Sequence, residues 1–91
     1  HVKHKVFIRR RRVTWAIYDI AWSPNGEILA SGGWDSTVIL WDPDTGEVLH
    51  VLEGHHGPVT SVEFSPDSST LASGSEDGTI ILWDMTKLLE E

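Results

Sequence analysis

The chain has 91 residues, 40% of them apolar, with five tryptophans and no cysteine, which suits one small globular unit and excludes disulfide staples and thiolate metal sites. Its formal net charge of −7 conceals a split: residues 1–12 hold six of the seven Lys and Arg side chains (Lys3, Lys5, Arg9, Arg10, Arg11, Arg12) and no acid, so the remainder sets one lysine, Lys87, against fourteen carboxylates, a balance of −13. Such a body repels nucleic acid and anionic membranes, and no apolar run is long enough to span a bilayer.

Apolar residues recur with period two in short runs bounded by turn residues, the pattern of strands. In chain order the strands are predicted at Val6–Arg9, Ala16–Trp22, Ile28–Ser31, Val38–Trp41, Glu47–Leu52, Val59–Phe64, Leu71–Ser73 and Thr79–Trp83. Between them lie turn sequences such as Ser23-Pro24-Asn25-Gly26, where Pro fixes φ and Gly accepts a positive φ. Gly32-Gly33-Trp34-Asp35-Ser36, Pro43-Asp44-Thr45-Gly46 and Ser75-Glu76-Asp77-Gly78 read as further turns. No helix is predicted, and the tail 85–91 has no clear pattern. The fold class is all-β.

Residues 22–42 and 64–84 superpose at an offset of 42 with 12 of 21 positions identical, among them Ser-Pro, Leu-Ala-Ser-Gly and a closing Trp-Asp (Trp41–Asp42, Trp83–Asp84). A repeat of this length marks units that cannot bury their own apolar faces alone. With Gly54-His55 opening the second unit, the ordered set resembles the WD40 repeat family of β-propellers over roughly residues 5–84. The resemblance implies four-stranded antiparallel blades arranged radially around a channel. It also implies a buried hydrogen-bond chain within a blade, formed by His55, Ser75, Asp77 and Trp83 in the second unit. In the first unit Asp35 and Trp41 remain, while Val13 and Gly33 stand at the positions of His55 and Ser75.

Taken as blades, residues 13–54 form the first and 55–84 give three strands of the second. The strand missing after Asp84 matches residues 5–10, because Lys5–Arg9 aligns with Glu47–Val51 at the same offset. An open strand edge invites pairing. The economical arrangement donates that N-terminal strand to the next copy, with Val6, Phe7, Ile8, Arg9, Ile80 and Leu82 at the interface. Three or four copies would then close a ring of six or eight blades. Arg9–Arg12 would face an acidic neighbour, which favours orientation more than stability.

The remaining signals point to structure more than to chemistry. Asp44-Thr45-Gly46 matches an aspartic-protease triplet but sits in a hairpin turn, and His50, His55 and His56 lack the spacing of a metal-binding pair on a helix. No catalytic residue, cofactor or metal is expected. Nucleic-acid binding through Arg9–Arg12 is the alternative, disfavoured by the scarcity of interleaved aromatics. The resemblance places Ala16, Tyr18, Trp34, Pro58, Thr60 and Glu76 at the open end of the channel, where a protein or peptide partner would dock. The expected function is a non-catalytic, self-assembling interaction scaffold, in character a fragment or an engineered test of propeller assembly. With no signal sequence and no cysteine, the cytoplasm is the expected compartment.

Overall fold

The computed structural model describes residues 16–89, and these form two antiparallel sheets with simple up-and-down connections. The first sheet has four strands in chain order: β1 (Ile17–Trp22), β2 (Leu29–Gly33), β3 (Val38–Trp41) and β4 (Val48–Leu52). The second has three: β5 (Val59–Phe64), β6 (Thr70–Ser75) and β7 (Ile80–Asp84). The expected strand Val6–Arg9 lies outside the described residues.

The turns follow the repeat at the level of backbone dihedrals. Gly26 (φ 78°) and Ser68 (φ 67°), aligned at the 42-residue offset, both take the left-handed conformation. Their amides close the turns on Ser23 O at 2.8 Å and Ser65 O at 2.9 Å. Ser36 (φ 72°) and Gly78 (φ 90°) form the second such pair. One member of each pair is a glycine, the residue for which this conformation carries no Cβ penalty.

Two expectations need correction. Gly32 and Gly33 belong to β2 rather than to a turn: Gly32 pairs with Val38 on one side and Asp19 on the other. Its lack of a side chain makes room for the second sheet, since a Cβ there would lie 2.5 Å from Val59 Cγ1. Secondly, the chain after Asp84 forms one helical turn, α1 (Met85–Leu88). The Asp84 carboxylate caps it, accepting from Thr86 N at 3.0 Å and Lys87 N at 3.3 Å. Met85, 1% exposed, enters the core, and Leu88, at the other end of the same turn, packs against it. Among the described residues no strand pairs with the outer edge of β7.

The strand registers fix which faces meet. Ala21, Ala30 and Leu40 align across β1–β3, and Val38 aligns with Leu52, so these side chains share one face of the first sheet. Phe64, Leu71 and Trp83 align across β5–β7, beside Val62, Ser73 and Ile81, on one face of the second. Those two faces pack together, and Ala30, Val38, Leu40, Leu52, Val62, Phe64 and Leu71 join one core with Val59 and Met85. Asp19 Oδ2 also accepts from Val62 N across the gap at 3.0 Å. The two faces are not equivalent under the repeat. Val62, Phe64, Leu71 and Trp83 correspond to Ile20, Trp22, Leu29 and Trp41, on the opposite face of the first sheet. The sheets therefore stack front to back, like successive members of a series.

Candidate functional site

The second sheet is pinned by a chain of side-chain hydrogen bonds. Trp83 Nε1 donates to Ser73 Oγ at 2.9 Å, and Ser73 Oγ lies 2.7 Å from His55 Nε2. On the other side of the imidazole, His55 Nδ1 lies 3.1 Å from Thr79 Oγ1 and 3.8 Å from Asp77 Oδ2. Thr79 in turn gives its hydroxyl proton to Asp77 Oδ1 at 2.5 Å. The directions follow from the donor inventory. A carboxylate only accepts, so Thr79 Oγ1 has spent its proton and must accept from Nδ1–H. A neutral His55 then carries a bare Nε2, which accepts the Ser73 hydroxyl proton, leaving Ser73 Oγ free to accept from Trp83. Every member of the chain is satisfied, as burial demands of His55 (7% exposed) and Ser73 (1% exposed).

The serine of this chain is Ser73, not Ser75 as expected. Ser75 instead donates to Gly57 O at 3.0 Å and accepts from Asp77 N at 3.0 Å, bracing the loop around His55 without touching His55 or Trp83. The strand register explains the difference. Trp83 pairs with Leu71, so its indole reaches Ser73, two residues along at about 7 Å, whereas Ser75 is four residues along at about 13 Å. Thr79 was the unrecognised member. Its signal was the Asp-x-Thr triplet common to both units, Asp35-Ser36-Thr37 and Asp77-Gly78-Thr79.

Among the described residues, the first sheet shows the two ends of this chain without its centre. Trp41 Nε1 donates to Ser31 Oγ at 2.9 Å, and Asp35 Oδ1 accepts from Thr37 N at 3.2 Å and Thr37 Oγ1 at 2.8 Å. Position 13, aligned with His55, is valine in the sequence and lies outside the described residues.

Hydrogen bonding holds Asp77 well below the ordinary carboxylate range. The Thr79 hydroxyl contributes most, followed by the His56 amide, and these with the Thr79 amide prevail over the opposing effect of desolvation. Asp67 is lowered to about 2 by the Ser69 hydroxyl, the Ser69 amide and the Ser65 hydroxyl. A carboxylate with a lower pKa folded than unfolded adds stability above the unfolded value, 3.8 here, and gives it up as pH falls toward the folded value. Unfolding by urea is therefore expected to become easier from about pH 4 down to about pH 2. Asp77→Asn should flatten that dependence, and an unaltered pH profile in the variant would contradict the assignment.

The residues expected at a partner-binding rim lie together at one end of the sheets. Trp34 N donates to Ala16 O at 2.9 Å and Glu76 N to Pro58 O at 3.0 Å, so the turn after the second strand is tied to the start of the first strand in each sheet. Tyr18 and Trp34 are 45% and 48% exposed, Ala16, Thr60 and Glu76 are exposed, and Pro58 is half-buried. Asp44-Thr45-Gly46 forms a turn, with Asp42 Oδ1 accepting from Asp44 N at 2.9 Å and Gly46 at φ 80°.

The most exposed apolar surface lies elsewhere. Ile80 and Leu82 on β7 are 74% and 69% exposed, and Ile17, Ile20 and Trp22 on β1 are exposed on the far side of the molecule. Of the expected interface set, Ile80 and Leu82 are thus on open surface, while Val6, Phe7, Ile8 and Arg9 lie outside the described residues.

The repeat also matches a family model. Residues 10–42 and 46–84 each match the WD domain, G-beta repeat. Among curated proteins, the WD repeat-containing protein VIP3 of Arabidopsis thaliana is 48% identical over 46 residues, 50% of this chain and 14% of that protein. The Periodic tryptophan protein 2 homolog of Schizosaccharomyces pombe is 46% identical over 44 residues, 47% of this chain and 5% of that protein. A Probable cytosolic iron-sulfur protein assembly protein 1, from Eremothecium gossypii, is 40% identical over 53 residues, 52% of this chain and 16% of that protein. The matched stretches are small parts of these relatives, each about the length of one repeat. With both of its units matched and two stacked antiparallel sheets, the chain belongs to the WD40 repeat family.

Proposed function

We propose that this protein is a non-catalytic interaction scaffold that assembles with copies of itself, each chain contributing two blades. WD40 repeats generally serve protein–protein interaction, which supports the general class. The observation that carries the self-assembly is a mismatch within the repeat. Ile80 and Leu82 occupy the positions of Val38 and Leu40, which are 0% exposed in the contact between the two sheets, yet they are 74% and 69% exposed. Open apolar surface on this scale marks a contact site. Because the sheets stack front to back, a copy added to the same series presents the complementary face. Such heterologous contacts close into rings when the rotation allows, and three or four copies give six or eight blades. The rim carrying Tyr18 and Trp34 remains free for another protein or peptide.

By analogy with the pairing of β4 and β3 in the first sheet, residues 5–10 of the next copy, expected as a strand from the sequence, would pair with the outer edge of β7. Deleting residues 1–10 is expected to convert a defined oligomer into a concentration-dependent aggregate, because open strand edges associate without register. Light scattering with mass determination checks this. An unchanged mass after the deletion would contradict the strand exchange.

A further inference from the structure

The contact between the two sheets of one chain serves as a template for the contact between chains, and it contains one close fit. Gly32 on β2 lies beneath Val59 and Val62 of the second sheet. A Cβ at Gly32 would meet Val59 Cγ1 at 2.5 Å, Val59 Cβ at 3.1 Å and Val62 Cγ1 at 3.3 Å. Val59 is 0% exposed and Val62 5% exposed, so the glycine is a hole and the valines are its knob.

Moved by 42 residues, the hole is Gly74 and the knob is Ile17 with Ile20. All three exist in the chain, at opposite ends of the stack. Gly74, on β6, faces the same way as Gly32 does in its own sheet, because Gly32 pairs with Val38 and Gly74 with Ile80. A Cβ at Gly74 would meet only Ser61 Oγ, at 2.8 Å. Ile17 and Ile20 are 60% and 55% exposed. Ile17 and Val59 each precede an irregularity in the strand register, Ile17/Asp19 and Val59/Ser61, so the two knobs have the same backbone setting.

Resting on the self-assembly reading above, we propose that Gly74 of one copy receives Ile17 and Ile20 of the next, and that this pair sets the register in which copies stack. Around it Ile80 and Leu82 take the places of Val38 and Leu40, and Ala72 that of Ala30. The polar tie is not reproduced. Asp19 Oδ2 accepts from Val62 N in the inner contact, whereas Ser61 stands at its position in the second unit, and Ile20 N already donates to Asp19 Oδ1 at 3.0 Å. Glu63 also stands where the inner contact has Ala21, a charged side chain in place of a methyl group. The contact between copies is therefore weaker than the inner one, and its register depends on the knob and hole.

The test is sedimentation velocity on the full chain and on three variants over a concentration series. Gly74→Ala fills the hole with one methyl group and should raise the dissociation constant roughly tenfold to a hundredfold, the range that overpacking a close contact produces. Ile17→Ala, a change at a side chain exposed in the single chain, should also weaken association without altering the circular dichroism spectrum. That variant keeps the test decisive if Gly74→Ala folds poorly. Combining the two changes should recover part of the loss, because the smaller knob fits the filled hole. Association of the parent with unchanged affinity in both single variants would overturn this register and leave self-assembly standing. A parent chain that stays single at every concentration would overturn both.

Discussion

Ser73→Ala is expected to destabilise the second sheet by about 2–4 kcal/mol, while Ser75→Ala costs about 1 kcal/mol or less. The Ser73 hydroxyl is the middle of the chain from Trp83 to Asp77, accepting from the indole and donating to His55. Its loss orphans two groups at once, and each buried polar group left without a partner costs about 1–3 kcal/mol. Ser75, the last residue of β6, is half-buried, and its two partners, Gly57 O and Asp77 N, belong to residues open enough for water to replace the hydroxyl. His55→Ala should resemble Ser73→Ala, since it removes the same bond from the other side and opens space beside Thr79. Urea unfolding followed by tryptophan fluorescence measures all three. Equal effects of Ser73→Ala and Ser75→Ala would mean that the hydrogen-bond chain has been assigned to the wrong serine.

Leu82→Glu is expected to abolish association while leaving the single chain folded, and Leu40→Glu at the equivalent position is expected to unfold it. The difference lies entirely in what covers each side chain. Leu40 is 0% exposed against the second sheet, so a carboxylate there would be buried without a partner. Leu82 is 69% exposed within one chain, where a glutamate stays in water. Between copies the same glutamate would lose the burial of a leucine, about 1.5–3 kcal/mol, and add the desolvation of a charge. Together these weaken association by at least about a hundredfold. Circular dichroism and sedimentation of the two variants separate the outcomes. A Leu82→Glu chain that associates like the parent would remove β7 from the interface.

Much of this fold is legible in the residues. Val38–Trp41 and Val59–Phe64 show their strand character through branched and aromatic side chains, and the paired Trp-Asp ends reveal the repeat. The glycines of β2 were harder to read, because Gly32 looks like punctuation until Val59 is seen to occupy the space above it. That is a tertiary fact with no local signature. The helical turn after Asp84 rests on a carboxylate cap and on Met85 entering the core, and a tail of seven residues is too short for periodicity to show. At the candidate site, His55, Asp77 and Trp83 are readable as members of one network. Choosing between Ser73 and Ser75 requires the register between β6 and β7, which fixes the reach of the indole. The outward face of β7 was readable through its equivalence to β3, and its exposure follows from having no third sheet against it among the described residues.

We infer that copies of this chain come together through two exposed sheet faces, related by the repeat to two buried ones. Sedimentation equilibrium on the 91-residue chain, from the lowest detectable concentration upward, decides this. A closed species of three or four chains that dissociates on dilution is the expected result. A monodisperse single chain at every concentration would contradict it.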